Sequence, residues 1–156
     1  MLNAVPNFNN IDFKGGNLSS DGGAFLLQTA ALMRIADRCP DLKVVICHLL
    51  APMREKKQEW KAELMMLKQA NIWFDIAAMP KIMGPDKYPY PETVEILAEA
   101  REIIGADRMM WGTDAPFAAT QDTYEHLTDY LEKSDVFSAK ELEDIYYNNA
   151  KLVYFS

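Results

Sequence analysis

Lys43-Val44-Val45-Ile46-Cys47-His48-Leu49-Leu50 is the stretch on which the fold turns. It is rich in β-branched residues and apolar at odd and even positions alike. Both of its faces must therefore be buried, as in a strand of a parallel sheet covered by helices. C-terminal to it, Trp60, Leu64 and Leu67 recur at i, i+4 and i+7 and predict a helix over about residues 55–69. N-terminal to it, Leu26, Ala30 and Met33 have the same spacing, so a helix opened by Ser20 or Asp21 should end before Pro40.

The alternation continues along the chain. Asn71-Ile-Trp-Phe-Asp-Ile-Ala77 and Arg108-Met-Met-Trp-Gly-Thr-Asp114 are two further strand-like runs. Between them Pro91 suits a first helical position and Gly105 a helix end. Thr120 can cap a helix reaching about Leu131. Ser138 and Glu141 have capping-box spacing, with Phe137 and Leu142 placed as a hydrophobic staple. Strand and helix in this alternation imply a parallel sheet with right-handed crossovers, compatible with a doubly wound sheet or with part of a barrel.

Composition narrows the function. A net charge of −7 argues against a nucleic-acid surface, which needs clustered Lys and Arg. No apolar stretch approaches the ~20 residues that span a bilayer, so a membrane is not an expected partner. Cys39 and Cys47 form no CxxC pair and read as reduced thiols of a cytoplasmic protein. Residues before about 30 are of a different kind: Asn3, Asn7, Asn9, Asn10 and the pairs Gly15-Gly16 and Gly22-Gly23 make a turn-rich lead-in.

Two residues are placed for chemistry. His48 closes its strand, on the face of Val44 and Ile46 by period-two alternation, and strand C-termini are where parallel α/β folds set catalytic groups. A packed structural histidine is the other reading. Asp114 interrupts a buried strand with a carboxylate that needs a partner, as a site residue or as a turn aspartate satisfied by backbone N–H groups. Asp75, inside its strand rather than at its end, reads as structural. His126 reads as solvent-exposed on a helix, and Tyr124, Leu127 and Leu131 as a core stripe. Met65, Met66, Met109 and Met110 read as core filling. The sequence contains no P-loop, HExxH, GxSxG or cysteine cluster.

Taken in order, Cys39-Pro-Asp-Leu-Lys-Val-Val-Ile-Cys-His48, Asn71-Ile-Trp-Phe-Asp-Ile76, Ile104-Gly-Ala-Asp-Arg-Met-Met-Trp-Gly-Thr-Asp-Ala-Pro116 and Asn149-Ala150 resemble the amidohydrolase-related metal-dependent hydrolases, a family that includes decarboxylases of the aminocarboxymuconate-semialdehyde type. The resemblance implies a (β/α)8 TIM barrel holding a divalent metal, most often zinc, on an HxH pair, a fifth-strand histidine and an eighth-strand aspartate. Asp114 matches that aspartate, a metal ligand, and His48 matches the sixth-strand histidine that works beside the metal-bound water. Substrates would be small carboxylated or ring-containing metabolites. The chain departs from the pattern in three places: it has no HxH, its other histidine is His126 alone, and Leu49-Leu50-Ala51 replace the glycines that commonly follow the sixth-strand histidine.

The expected fold is therefore a partial barrel of about the last three strand–helix units over 31–156, behind an irregular segment over 1–30. Residues 12–27 resemble the opening of insertion-sequence DDE transposases, which suggests a mobile-element start joined to an interrupted amidohydrolase gene. One metal ligand in four leaves hydrolysis or decarboxylation by the chain alone unexpected. Open sheet edges make a homo-oligomer the expected partner.

Overall fold

The computed structural model describes residues 10–13, 22–69, 71–84 and 86–155. Among the described residues four strands form one sheet: β1 (Asn10–Phe13), β2 (Lys43–Ile46), β3 (Ile72–Asp75) and β4 (Met109–Met110). Their order is β1-β2-β3-β4 and every neighbouring pair is parallel. Sheet order follows chain order without the reversal that marks a doubly wound crevice, which is the arrangement of an arc of a barrel. Helix α1 (Gly22–Arg38) leads into β2, α2 (Lys57–Leu67) joins β2 to β3, and the short α3 (Met79–Ile82) with α4 (Pro91–Ile104) joins β3 to β4. After β4 come α5 (Tyr124–Asp129), α6 (Ala139–Glu143) and α7 (Asn149–Phe155), the last two joined by a π turn over Asp144–Asn148.

β1 lies inside the lead-in expected to be irregular. Ile11 and Phe13 alternate with Asn10 and Asp12, a pattern too short beside its glycines to register as a strand. In-register parallel pairing with β2, from Asn10↔Lys43 to Phe13↔Ile46, supplies what local propensity does not. The expected caps Ser20 and Asp21 lie outside the described residues. Helix α1 runs without interruption across residue 30.

Register sorts the side chains onto two faces. Val44 and Ile46 of β2, with Ile72 and Phe74 of β3, join the main core with Leu64 of α2 and Leu97 of α4. The other face carries Val45, Trp73 and Met110, closed by Val153 of α7. Both faces of β2 are buried, as its uninterrupted apolar run requires. Asn71, just before β3, donates its side-chain amide to the carbonyls of Ala36, Cys39 and Leu42 and so clasps the α1–β2 loop.

Local signals mostly hold. Pro91 opens α4, whose first turn is also held by buried Asp86, accepting from the Thr93 backbone N–H at 2.8 Å and hydroxyl at 2.9 Å. Gly105 ends α4 at φ 87°, where a side chain would also strike the Asp107 carboxylate. The Ser138–Glu141 capping box is fully formed. Helix α5, however, is capped by Thr123, which accepts from the His126 N–H, while Thr120 ends a preceding single 3₁₀ turn. Tyr124 is exposed although Leu127 and Leu131 are buried, because α5 is too short to turn its whole stripe inward. Met109 and Met110 fill the core, but Met65 points to solvent from the outer side of α2. Among the described residues no helix is long and apolar enough to cross a membrane, and both cysteines are free thiols.

Candidate active site

The C-terminal ends of β2, β3 and β4 converge on one place, and His48, Asp75 and Asp114 meet there. β2 ends at Ile46, so strand alternation does not carry through to His48. A turn in the left-handed region delivers its ring instead. His48 (φ 54°), Leu49 (52°), Leu50 (65°) and Ala51 (49°) are four consecutive non-glycine residues in that region. Each costs about 1–2 kcal/mol relative to ordinary backbone, so the turn persists only because its surroundings over-determine it. Three contacts do so. The Leu49 side chain is fully buried, the Trp60 indole N–H donates to the Leu49 carbonyl at 2.8 Å, and the Ala51 N–H closes back on the His48 carbonyl at 2.7 Å. The conformation that glycines would favour is thus present without glycine.

Asp75 is the last residue of β3, not an interior one. Its Oδ1 accepts from the backbone N–H of His48 at 2.9 Å and of Ala77 at 3.1 Å. The Ala77 carbonyl in turn lies 3.0 Å from His48 Nδ1. A carbonyl can only accept, so Nδ1 carries a proton, and the other ring nitrogen, Nε2, faces outward. The reading of Asp75 as a backbone-bonding residue holds, but its bonds also aim the candidate histidine. Neither the β-branched pattern nor the spacing carried that signal. It depends on the turn after β2 folding back over the end of β3.

Asp114 sits at φ 51°, beyond the end of β4, with Oδ2 3.8 Å from His48 Nε2. That separation exceeds a hydrogen bond and leaves a ring nitrogen facing a carboxylate, with room for a bridging group between them. A Cβ on Gly112 would meet the Ala77 Cβ at 3.2 Å, so the glycine lets the segments leaving β3 and β4 pass close together. His126 takes no part. Its Nδ1 bonds Asp122 at 2.8 Å and its ring stacks on Tyr88 at 3.9 Å, forming a separate cluster in which Tyr90 also donates to Asp122 at 2.7 Å. Burial first, and that bond second, hold the Tyr90 hydroxyl well above the usual tyrosine range, while the same bond lowers Asp122.

A family model for amidohydrolases matches residues 23–155. The chain belongs to the amidohydrolase family. Among solved structures, this amidohydrolase-family chain is similar to an amidohydrolase from Burkholderia multivorans with bound HEPES, at 17% identity and TM-score 0.71 over 82% of this chain and 50% of that one. A second structure of that description, with bound zinc, gives 18% identity and TM-score 0.69 over 82% and 49%. A dihydroxybenzoic acid decarboxylase from Polaromonas sp. JS666, with bound manganese and the inhibitor 2-nitroresorcinol, gives 20% identity and TM-score 0.55 over 88% and 42%. Among curated proteins none matches the chain. The fold is accordingly part of a barrel, and the chain spans about half the length of these solved relatives.

Zinc and manganese in those structures make a divalent metal a property of the relatives. The donor set in this chain does not by itself fit one. His48 Nε2 and Asp114 are two facing donors, and among the described residues no group of three or more His, Cys, Asp or Glu side chains is disposed to hold a metal ion. Catalytic zinc takes three protein ligands and a water.

Proposed function

We propose that this chain carries one side of an amidohydrolase-type site and does not turn over substrate alone. Asp114 is the residue that would ligate a divalent metal, zinc first, and His48 the neighbouring acid or base. The reaction class is hydrolysis or decarboxylation of a small carboxylated or ring-containing metabolite, and it requires ligands from another chain. The carrying observation is the opposition of His48 Nε2 and Asp114 Oδ2 at 3.8 Å across the ends of β2 and β4. The test is the metal content of folded protein after dialysis against zinc or manganese, beside Asp114→Ala. We expect little retained metal and no difference between the two proteins. Near-stoichiometric metal that disappears in Asp114→Ala would overturn the claim that the chain is inert alone.

A self-associating, non-catalytic remnant is the second reading. The outer surface of α7 favours it, where Leu152 is 50% and Phe155 84% exposed. Sedimentation decides this one: a dispersed monomer across the accessible concentration range would rule it out.

A further inference from the structure

β4 has two edges. Toward β3, the Ile76 N–H donates to the Met110 carbonyl at 2.9 Å, continuing the parallel ladder. Backbone groups alternate along a strand, so the Met109 carbonyl and the Trp111 N–H point to the opposite edge. In a closed barrel that edge belongs to the next strand round. Here the Trp111 N–H donates to the Ile145 carbonyl at 2.9 Å. The Asn149 side-chain amide donates to the Met109 and Ala106 carbonyls, both at 2.8 Å. Ile145 is fully buried, and Asn149 is 5% exposed.

The sequence of helix α6, π turn and α7 explains how one helical segment reaches the edge. The wide turn closes with the Asn149 N–H on the Asp144 carbonyl, a five-residue step that brings both Ile145 and Asn149 against β4. Beyond it, Val153 packs on Val45, Trp73 and Met110, the face that looks into the centre of a closed barrel. The Leu152 carbonyl accepts from Lys43 Nζ at 2.8 Å at the foot of β2. Edge and inner face are therefore taken by the same twelve-residue stretch, 144–155, of this chain.

We infer that residues 144–155 are a displaceable cover over a latent strand-pairing surface at β4. The occupant that fits beneath it is an extended segment from a chain bearing the missing barrel strands, offering a carbonyl to the Trp111 N–H and an N–H to the Met109 carbonyl. The inference rests on the reading that missing ligands come from another chain, and it adds the condition that completion at this edge first requires the cover to leave.

Amide hydrogen exchange on the full chain tests it without reference to metal, so its failure and that of the metal reading are distinguishable. Trp111 and Ile76 report the two edges of the same strand, and their protection factors are read in the same sample. Opening of the cover with the sheet intact should leave Trp111 about tenfold or more less protected than Ile76. Asn149→Ala, and independently Val153→Ala should the first not fold, should lower the protection of Trp111 by about fivefold to tenfold. Equal protection of the two amides in the wild type would mean that the cover leaves only when the whole sheet unfolds, and would overturn the inference. Trp111 protection unmoved in the folded variants would do the same.

Discussion

Glu63 lies on the buried side of α2, one turn from Glu59, and is only 4% exposed. Burial, with a smaller contribution from Glu59 and partial relief from Lys56, pushes its carboxyl up to about 7 from an ordinary 4.5. The sign of the linkage follows. An acid whose folded pKa is raised binds its proton more tightly in the native state than in the unfolded one. Glu63 is therefore neutral and harmless to stability below about pH 4, and it destabilises progressively as pH rises through about 7. The interval from 4.5 to about 7 corresponds to about 3 kcal/mol at pH 8. Glu63→Gln removes the titration while keeping the shape. Urea denaturation should show the variant about 3 kcal/mol more stable than wild type at pH 8, with a melting point higher by roughly 6–12 °C, and the two indistinguishable near pH 4. A stability difference of the same size at both pH values would refute the reasoning, because it would place the effect in packing rather than in proton binding.

Three further outcomes are expected. Ala51→Gly relieves a left-handed residue worth about 1–2 kcal/mol but loses about 0.5–1 kcal/mol through the freer unfolded chain, so thermal denaturation should show a net gain of roughly 0.5–1 kcal/mol; a loss would mean that the turn is not strained there. Asp75→Ala strands the N–H groups of His48 and Ala77 and should cost about 2–3 kcal/mol, whereas Asp75→Asn keeps an acceptor oxygen and should cost distinctly less, with equal costs in urea unfolding counting against the brace. Ser138→Ala should cost about 1 kcal/mol, and a double-mutant cycle with Glu141→Ala should show coupling, since the two residues satisfy each other's backbone donors.

The elements legible in the sequence are those whose signal is local. Val44-Val45-Ile46 and Ile72-Trp73-Phe74 read as strands because both faces of each are apolar, and Trp60, Leu64 and Leu67 read as one helical face. The Ser138–Glu141 box states its own boundary. What escaped depends on partners distant in the chain. β1 exists through its pairing with β2, and the left-handed turn after Ile46 carries no glycine to announce it because Trp60 and buried Leu49 hold it in place. β4 is only two residues long where a run to Asp114 was expected, since from Trp111 onward the chain departs toward Ile145 and the loop. Of the site, His48 and Asp114 were visible as polar residues at the ends of apolar runs. Asp75 was not, for a carboxylate that reads as interior to an apolar run has the same local pattern whether it bonds nothing or aims a histidine across a turn.

The clasp made by Asn71 has a consequence for the order in which the chain can fold. The turn at residues 39–42 is held by an amide that arrives about thirty residues later, at the threshold of β3. Local bonds from the Cys39 N–H to the Ile35 carbonyl and from the Leu42 N–H to the Cys39 carbonyl can form first, but the three bonds from Asn71 are added only when the chain returns to β3. If completion of the loop and the pairing of β2 with β3 are one step, substitutions at Asn71 and Val44 should slow refolding in the same proportion, and unequal slowing in stopped-flow refolding would separate them.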